Sequence, residues 1–162
     1  MDRKKEEMIS YYVKEACDMA LVSVSKGCGP FGCIITDLSY NEIARGHNMV
    51  TLNKDPTAHA EIVTIRQACE TLDNFELSNC ILFSSCEPCP MCLSAIYWAR
   101  INHVYYGNTR EDAKNIGFDD SYIYEEVNKN VEDRSLKMNK IDSSNKLDSF
   151  EIWSDMKDKI LY

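Results

Sequence analysis

The sequence predicts an α/β sandwich built around one mixed sheet. Helix-like and strand-like segments alternate through the first two thirds of the chain. Apolar spacing switches between a period near 3.6 and a period of two, and the two segments richest in metal-ligating residue types both sit at helix starts. The first element runs from about Arg3 to Lys26, with Met8, Tyr12, Ala16, Met19, Ala20 and Val24 on one side. Gly27-Cys28-Gly29-Pro30 ends it. Phe31 to Thr36 and Glu42 to Gly46 read as a hairpin closed over Asp37–Asn41. A helix from about Ala58 to Leu72 follows, opened by the start signal Asp55-Pro56-Thr57. Then come a strand near Cys80–Ser84, a helix after Pro88 and a strand over Val104–Gly107. Arg110 to Glu126 forms short helical pieces around Gly117-Phe118-Asp119-Asp120. Asn139 to Ser149 is a polar linker. Ser149 to Tyr162 carries Phe150, Ile152, Trp153, Met156, Ile160 and Leu161 at roughly helical spacing, and so short a helix must dock to be stable.

The chemistry concentrates in Thr57-Ala58-His59-Ala60-Glu61 and Ser84-Ser85-Cys86-Glu87-Pro88-Cys89-Pro90-Met91-Cys92. A C-x-x-C pair opening a helix puts both sulfurs on one face, within reach of one metal ion. Proline is tolerated where a helix begins, and the positive end of the helix favours thiolates there. His59, Cys89 and Cys92 therefore predict a zinc site with three protein ligands and one open position. Glu61, two residues past the imidazole, is placed to take a proton from a water at that position. A structural Cys₃His site completed by Cys86 is the competing reading, but it leaves Glu61 without a role. An iron–sulfur reading lacks a fourth cysteine, because Ile96 stands where one is wanted. Cys86 reads as a packing or supporting cysteine.

Composition narrows the partners. The chain has 162 residues, enough for one domain. Met1 to Glu7 is charged with no apolar signal core behind it, and no stretch is long enough to span a bilayer. Eight cysteines then fit a reducing, cytoplasmic setting, with Cys17, Cys28, Cys33, Cys69 and Cys80 as small buried apolar residues. A net charge of −8 weighs against a nucleic-acid partner, which is gripped through Lys and Arg, and favours a small substrate. His47 and His103 read as strand-end residues without metal.

With these residues in place, the chain resembles the bacterial-type guanine deaminases of the cytidine deaminase superfamily. Gly29-Pro30-Phe31-Gly32, Asp55 to Glu61, Ser85 to Cys92 and Ala95-Ile96-Tyr97-Trp98-Ala99-Arg100 carry the likeness. The pattern H-x-E…P-C-x-x-C marks the superfamily. Gly117 to Tyr124 and Tyr162 resemble the guanine-specific branch. The resemblance implies a three-layer α/β/α fold with a central five-stranded mixed sheet. It implies a zinc catalytic domain over 1–138, with 139–162 a linker and helix that crosses to cover the partner's active site in a homodimer. It implies one zinc per subunit on His59, Cys89 and Cys92, catalysis by Glu61 and Asp120, and a substrate site of Phe31, Asn48, Ala60, Trp98 and Tyr162.

The implied reaction is hydrolysis of guanine to xanthine and ammonia. Water activated at the metal attacks C2, Glu61 carries its proton to N3, and Asp120 protonates the departing amino group. Guanosine deamination, tRNA adenosine deamination and a non-catalytic zinc-stabilised interaction domain are the alternatives.

Overall fold

The segment Cys80–Cys86 is buried along its whole length, and that places it in the middle of the sheet. The computed structural model describes residues 3–161. In it, β1 (Gly32–Asp37) pairs antiparallel with β2 (Glu42–His47) on one side and with β3 (Cys80–Cys86) on the other. β3 pairs in parallel with β4 (His103–Asn108), so the order is β2-β1-β3-β4 and the sheet is mixed. Four strands form it among the described residues, and the expected fifth is absent. After β4 the described residues add no further strand. Residues 129–141 alternate weakly, are rich in charge and are almost wholly exposed, and they hold only the 3₁₀ turn Val131–Asp133.

Alternation along the central strands sends side chains to two helical layers. Ile34, Ile81 and Phe83 face α1 (Arg3–Ser25), where Tyr12 and Ala16 meet them. Cys33, Ile35 and Leu82 face the other way, into a core with Ala60 and Ala68 of α3 (Ala60–Leu72) and Ile96 of α4 (Pro90–Trp98). Helices on both faces of one sheet give the three-layer arrangement. A short helix between β2 and α3, α2 (Val50–Asn53), has no cap or periodicity to announce it; it ends at Lys54 in the left-handed region, φ 53°.

Gly32 lets α1 lie close to the sheet. A Cβ there would stand 2.3 Å from the Ala16 carbonyl oxygen and 2.6 Å from the Ala20 nitrogen, both backbone atoms that no rotamer change can move. Gly32→Ala is expected to destabilise the fold by about 3 kcal/mol, read as a fall of roughly 10 °C in the thermal unfolding midpoint.

The chain divides into two compact units, one up to Asp120 and one from Ser121 onward. The first closes with α5 (Arg110–Asn115), which opens on a capping box. The Thr109 hydroxyl accepts the Asp112 N–H at 3.2 Å, and the Asp112 carboxylate accepts the Thr109 N–H at 2.8 Å. The second holds α6 (Ser121–Asn128) and α7 (Asp148–Asp155). α7 stops well before the sequence pattern does, at Met156, whose backbone is extended. Among the described residues no helix is long and apolar enough to cross a membrane.

Candidate metal centre and active site

Two helix starts build the site. His59 is the N-cap residue of α3 and Cys89 that of α4, with nearly the same extended backbone (φ −65°, ψ 158° and φ −65°, ψ 168°). Neither side chain caps its helix, which leaves imidazole and thiol to meet each other. Pro90 occupies the first turn of α4, where its missing N–H costs nothing. The start signal Asp55-Pro56-Thr57 lies just ahead of α3, with His59 at the cap position. Asp55 Oδ1 accepts the Thr57 N–H at 2.8 Å and its hydroxyl at 2.7 Å, closing a turn just ahead of His59.

His59, Cys89 and Cys92 form a cluster whose ligand atoms all lie within 4.8 Å of one another. The His59 Nδ1 lies 3.5 Å from the Cys89 sulfur and 3.6 Å from the Cys92 sulfur. A tetrahedral zinc with Zn–S of about 2.3 Å and Zn–N of about 2.0–2.1 Å has S···N edges of about 3.6 Å. The donor set therefore fits zinc in both chemistry and spacing, with Nδ1 as the ligating nitrogen. Cys86 is not in the cluster; its thiol donates to the Thr109 carbonyl at 3.5 Å. In the metal-free chain the three groups share protons. The Cys92 thiol, and His59 after it, push Cys89 down to about 4, while Cys92 is driven up by Cys89 and by burial; His59 is raised by Cys89.

Glu61 is buried, 5% exposed, in the first turn of α3. Ser84, near the carboxyl end of β3, donates its hydroxyl to Glu61 Oε1 at 3.1 Å. Burial raises the carboxyl group above the ordinary range, and the neighbouring Cys89 adds to that. Ser84 is a site residue that the sequence reading missed. Its one signal was polarity in a strand buried on both faces, where a hydroxyl must find a partner.

Asn48 follows β2 and is 5% exposed. Its Oδ1 accepts the Val50 N–H at 3.1 Å, which orients the amide and leaves Nδ2 as its donor. The Asn48 N–H in turn donates to the Phe31 carbonyl at 2.9 Å. Phe31 meets Phe118 edge to face, ring centroids 4.9 Å apart. That contact docks the segment after α5 onto the start of β1. Asp119 pairs with Lys114 at 3.4 Å, whereas Asp120 is partly buried. Desolvation raises the Asp120 carboxyl, and the Cys89 charge raises it further.

Ala60 is fully buried between His59 and Glu61. Trp98 is not brought to the cluster by this chain: it stands at the far end of α4, about 13 Å from Cys89 by helical rise, and is 66% exposed. Tyr162 lies outside the described residues.

Residues 6–108 match the cytidine and deoxycytidylate deaminase zinc-binding region. The chain is 44% identical over 152 residues to a guanine deaminase of Bacillus subtilis, covering 93% of this chain and 97% of that protein. It is 35% identical to a tRNA-specific adenosine deaminase of Haemophilus influenzae over 63% of this chain and 57% of that protein. Among solved structures, guanine deaminase from Bacillus subtilis superposes with a TM-score of 0.90 at 42% identity, covering 100% of this chain and 99% of that one. Guanine deaminase from Nitrosomonas europaea superposes with a TM-score of 0.65 at 29% identity, covering 67% and 63%.

Proposed function

Because the chain belongs to the cytidine and deoxycytidylate deaminase family, we propose that it catalyses the zinc-dependent hydrolysis of guanine to xanthine and ammonia. The observation that carries the reading is the length of the likeness to the Bacillus subtilis guanine deaminase. At 93% of the chain, it runs well past residue 108, beyond the zinc-binding region common to deaminases of different substrates.

His59, Cys89 and Cys92 would hold one zinc per chain. When bound, zinc supplies a Lewis acid that lowers the pKa of a water in the open position. Glu61 does the proton work: it takes the proton of the attacking water and delivers it to N3 of guanine as C2 becomes tetrahedral. Ser84 holds its carboxylate for both steps, through the 3.1 Å hydrogen bond. Asp120 protonates the amino group at C2, which leaves as ammonia while the C2 hydroxyl gives its remaining proton to Glu61 and becomes the carbonyl of xanthine. Partial burial raises the Asp120 carboxyl, a shift in the direction that an acid role needs. Asn48 Nδ2 donates to an acceptor on the base, and Phe31 and His59 face the ring. Ala60 closes the floor between the ligand and the proton carrier.

Assembly and setting follow the same reading. The protein works in the cytoplasm in purine breakdown, as a homodimer. Residues 139–162 of one subunit cross to the other, where Tyr162 completes a pocket that Trp98 lines. The tRNA-specific relatives favour a second substrate class, but the balance of 26 acidic to 18 basic side chains opposes a polyanion.

The test is ammonia release by the zinc-loaded protein on guanine, guanosine, adenine, cytosine, cytidine and a tRNA anticodon stem-loop. Guanine is expected to be turned over best, with xanthine as product. Preference for guanosine or the stem-loop would replace the reading, and zinc binding without turnover of any of the six would point to an interaction domain.

A further inference from the structure

The end of β2 holds a buried histidine that the chemistry above does not use. His47 is 7% exposed, and both of its ring nitrogens are engaged. Nε2 lies 3.0 Å from the Lys26 ammonium nitrogen, and Nδ1 lies 2.8 Å from the Asn48 carbonyl oxygen. An ammonium group can only donate and a carbonyl can only accept. Nε2 must therefore carry the lone pair and Nδ1 the hydrogen. Lys26, just past the end of α1, selects the tautomer that lets His47 hold the Asn48 peptide.

The backbone of Asn48 is held at both its amide and its carbonyl. Its N–H donates to the Phe31 carbonyl at 2.9 Å, and the Asn48 side-chain oxygen takes the Val50 N–H at 3.1 Å. Its carbonyl receives the His47 hydrogen, with the buried Ser23 hydroxyl 3.3 Å away and bonded at 2.6 Å to the Gly29 carbonyl. Of these restraints, the His47 bond is a side-chain bond relayed from a charged group on another element. A residue needed only to fill space here would not need two opposed ring nitrogens.

We infer that His47, set in its Nδ1–H tautomer by Lys26, is a positioning residue that fixes Asn48 for recognition of the purine base. The inference rests on the reading of Asn48 as a base-binding residue. Asn48 meets the base in ground and transition states alike, so a misplaced Asn48 raises KM and leaves kcat nearly unchanged.

The experiment uses the zinc-loaded protein with guanine as substrate. His47→Leu is expected to raise KM about five- to tenfold with kcat within about twofold, the size of one hydrogen bond lost at a site. His47→Asn keeps a donor near the Nδ1 position and should return KM to within about threefold of the parent. Nitrogen NMR of the parent protein, which has 3 histidines, should show His47 protonated at Nδ1 and bare at Nε2. An Nε2–H tautomer, or a His47→Leu protein with unchanged KM, overturns the inference. If His47→Leu fails to fold, the tautomer and His47→Asn decide. Asn48→Ala separates the two levels: unchanged KM in that variant defeats the reading of Asn48 itself, whereas raised KM there beside unchanged KM in His47→Leu defeats the positioning role alone.

Discussion

Glu61→Gln is expected to lower kcat for guanine roughly a thousandfold while the protein keeps its zinc, measured by ammonia release and metal analysis on the same preparation. The size follows from what the substitution removes. Gln fills the same volume and can still accept the Ser84 hydroxyl through its carbonyl oxygen, so the 3.1 Å contact has a replacement. It cannot take a proton from water or return one to the ring. The carboxylate is not among the three groups that converge on the metal position, so its loss should leave the ligands intact.

Stability should move the other way. Burial raises the Glu61 carboxyl in the metal-free fold, so its contribution is favourable below the unfolded-state pKa and is lost as pH rises through the folded value. Above the unfolded-state pKa, burying this group costs free energy that Gln avoids. Metal-free Glu61→Gln should unfold at the same temperature as the parent or higher at pH 7, and show no gain at pH 4. Near-parental kcat in this variant would remove Glu61 from the mechanism.

The parts of the site legible from sequence are those whose chemistry tolerates few residue types. An imidazole and a thiolate pair at helix-start spacing have few other uses, and His59, Cys89 and Cys92 do converge. Ser84 was not legible because a serine in a strand says nothing of its partner until register is known. β3 had to be placed beside α3 before its hydroxyl could be seen to reach Glu61. The start signal Asp55-Pro56-Thr57 does precede α3, and Asp55 acts there as the acceptor of a local turn ahead of the cap residue His59.

Strand count went wrong at a different level. The fifth strand was an expectation from family likeness alone; the sequence itself offers four strand segments, and four form the sheet among the described residues.

Zinc removal is expected to abolish activity and to weaken the fold, because the ion joins two segments far apart in the chain. His59 leads α3, while Cys89 and Cys92 lead α4, so an ion held by all three would tie the two helix starts together. A ligand that binds only the folded state at a thousand times its Kd adds about 4 kcal/mol. Stripping it should lower the unfolding midpoint by roughly 10 °C and restore it on zinc addition. The same loss should follow Cys92→Ala.

The pH dependence has a definite sign. In the metal-free cluster Cys92 and His59 are both raised, so zinc must displace protons to bind. Affinity should fall as pH falls from 8 to 6, and calorimetry in buffers of different ionisation enthalpy should report release of at least about one proton per zinc at pH 7. Cys86→Ala is the control that tests the coordination number. Its thiol is spent on the Thr109 carbonyl, so this variant should keep its zinc and most of its activity. Loss of zinc from Cys86→Ala would mean a fourth protein ligand, a closed coordination shell and no position for the water that Glu61 serves.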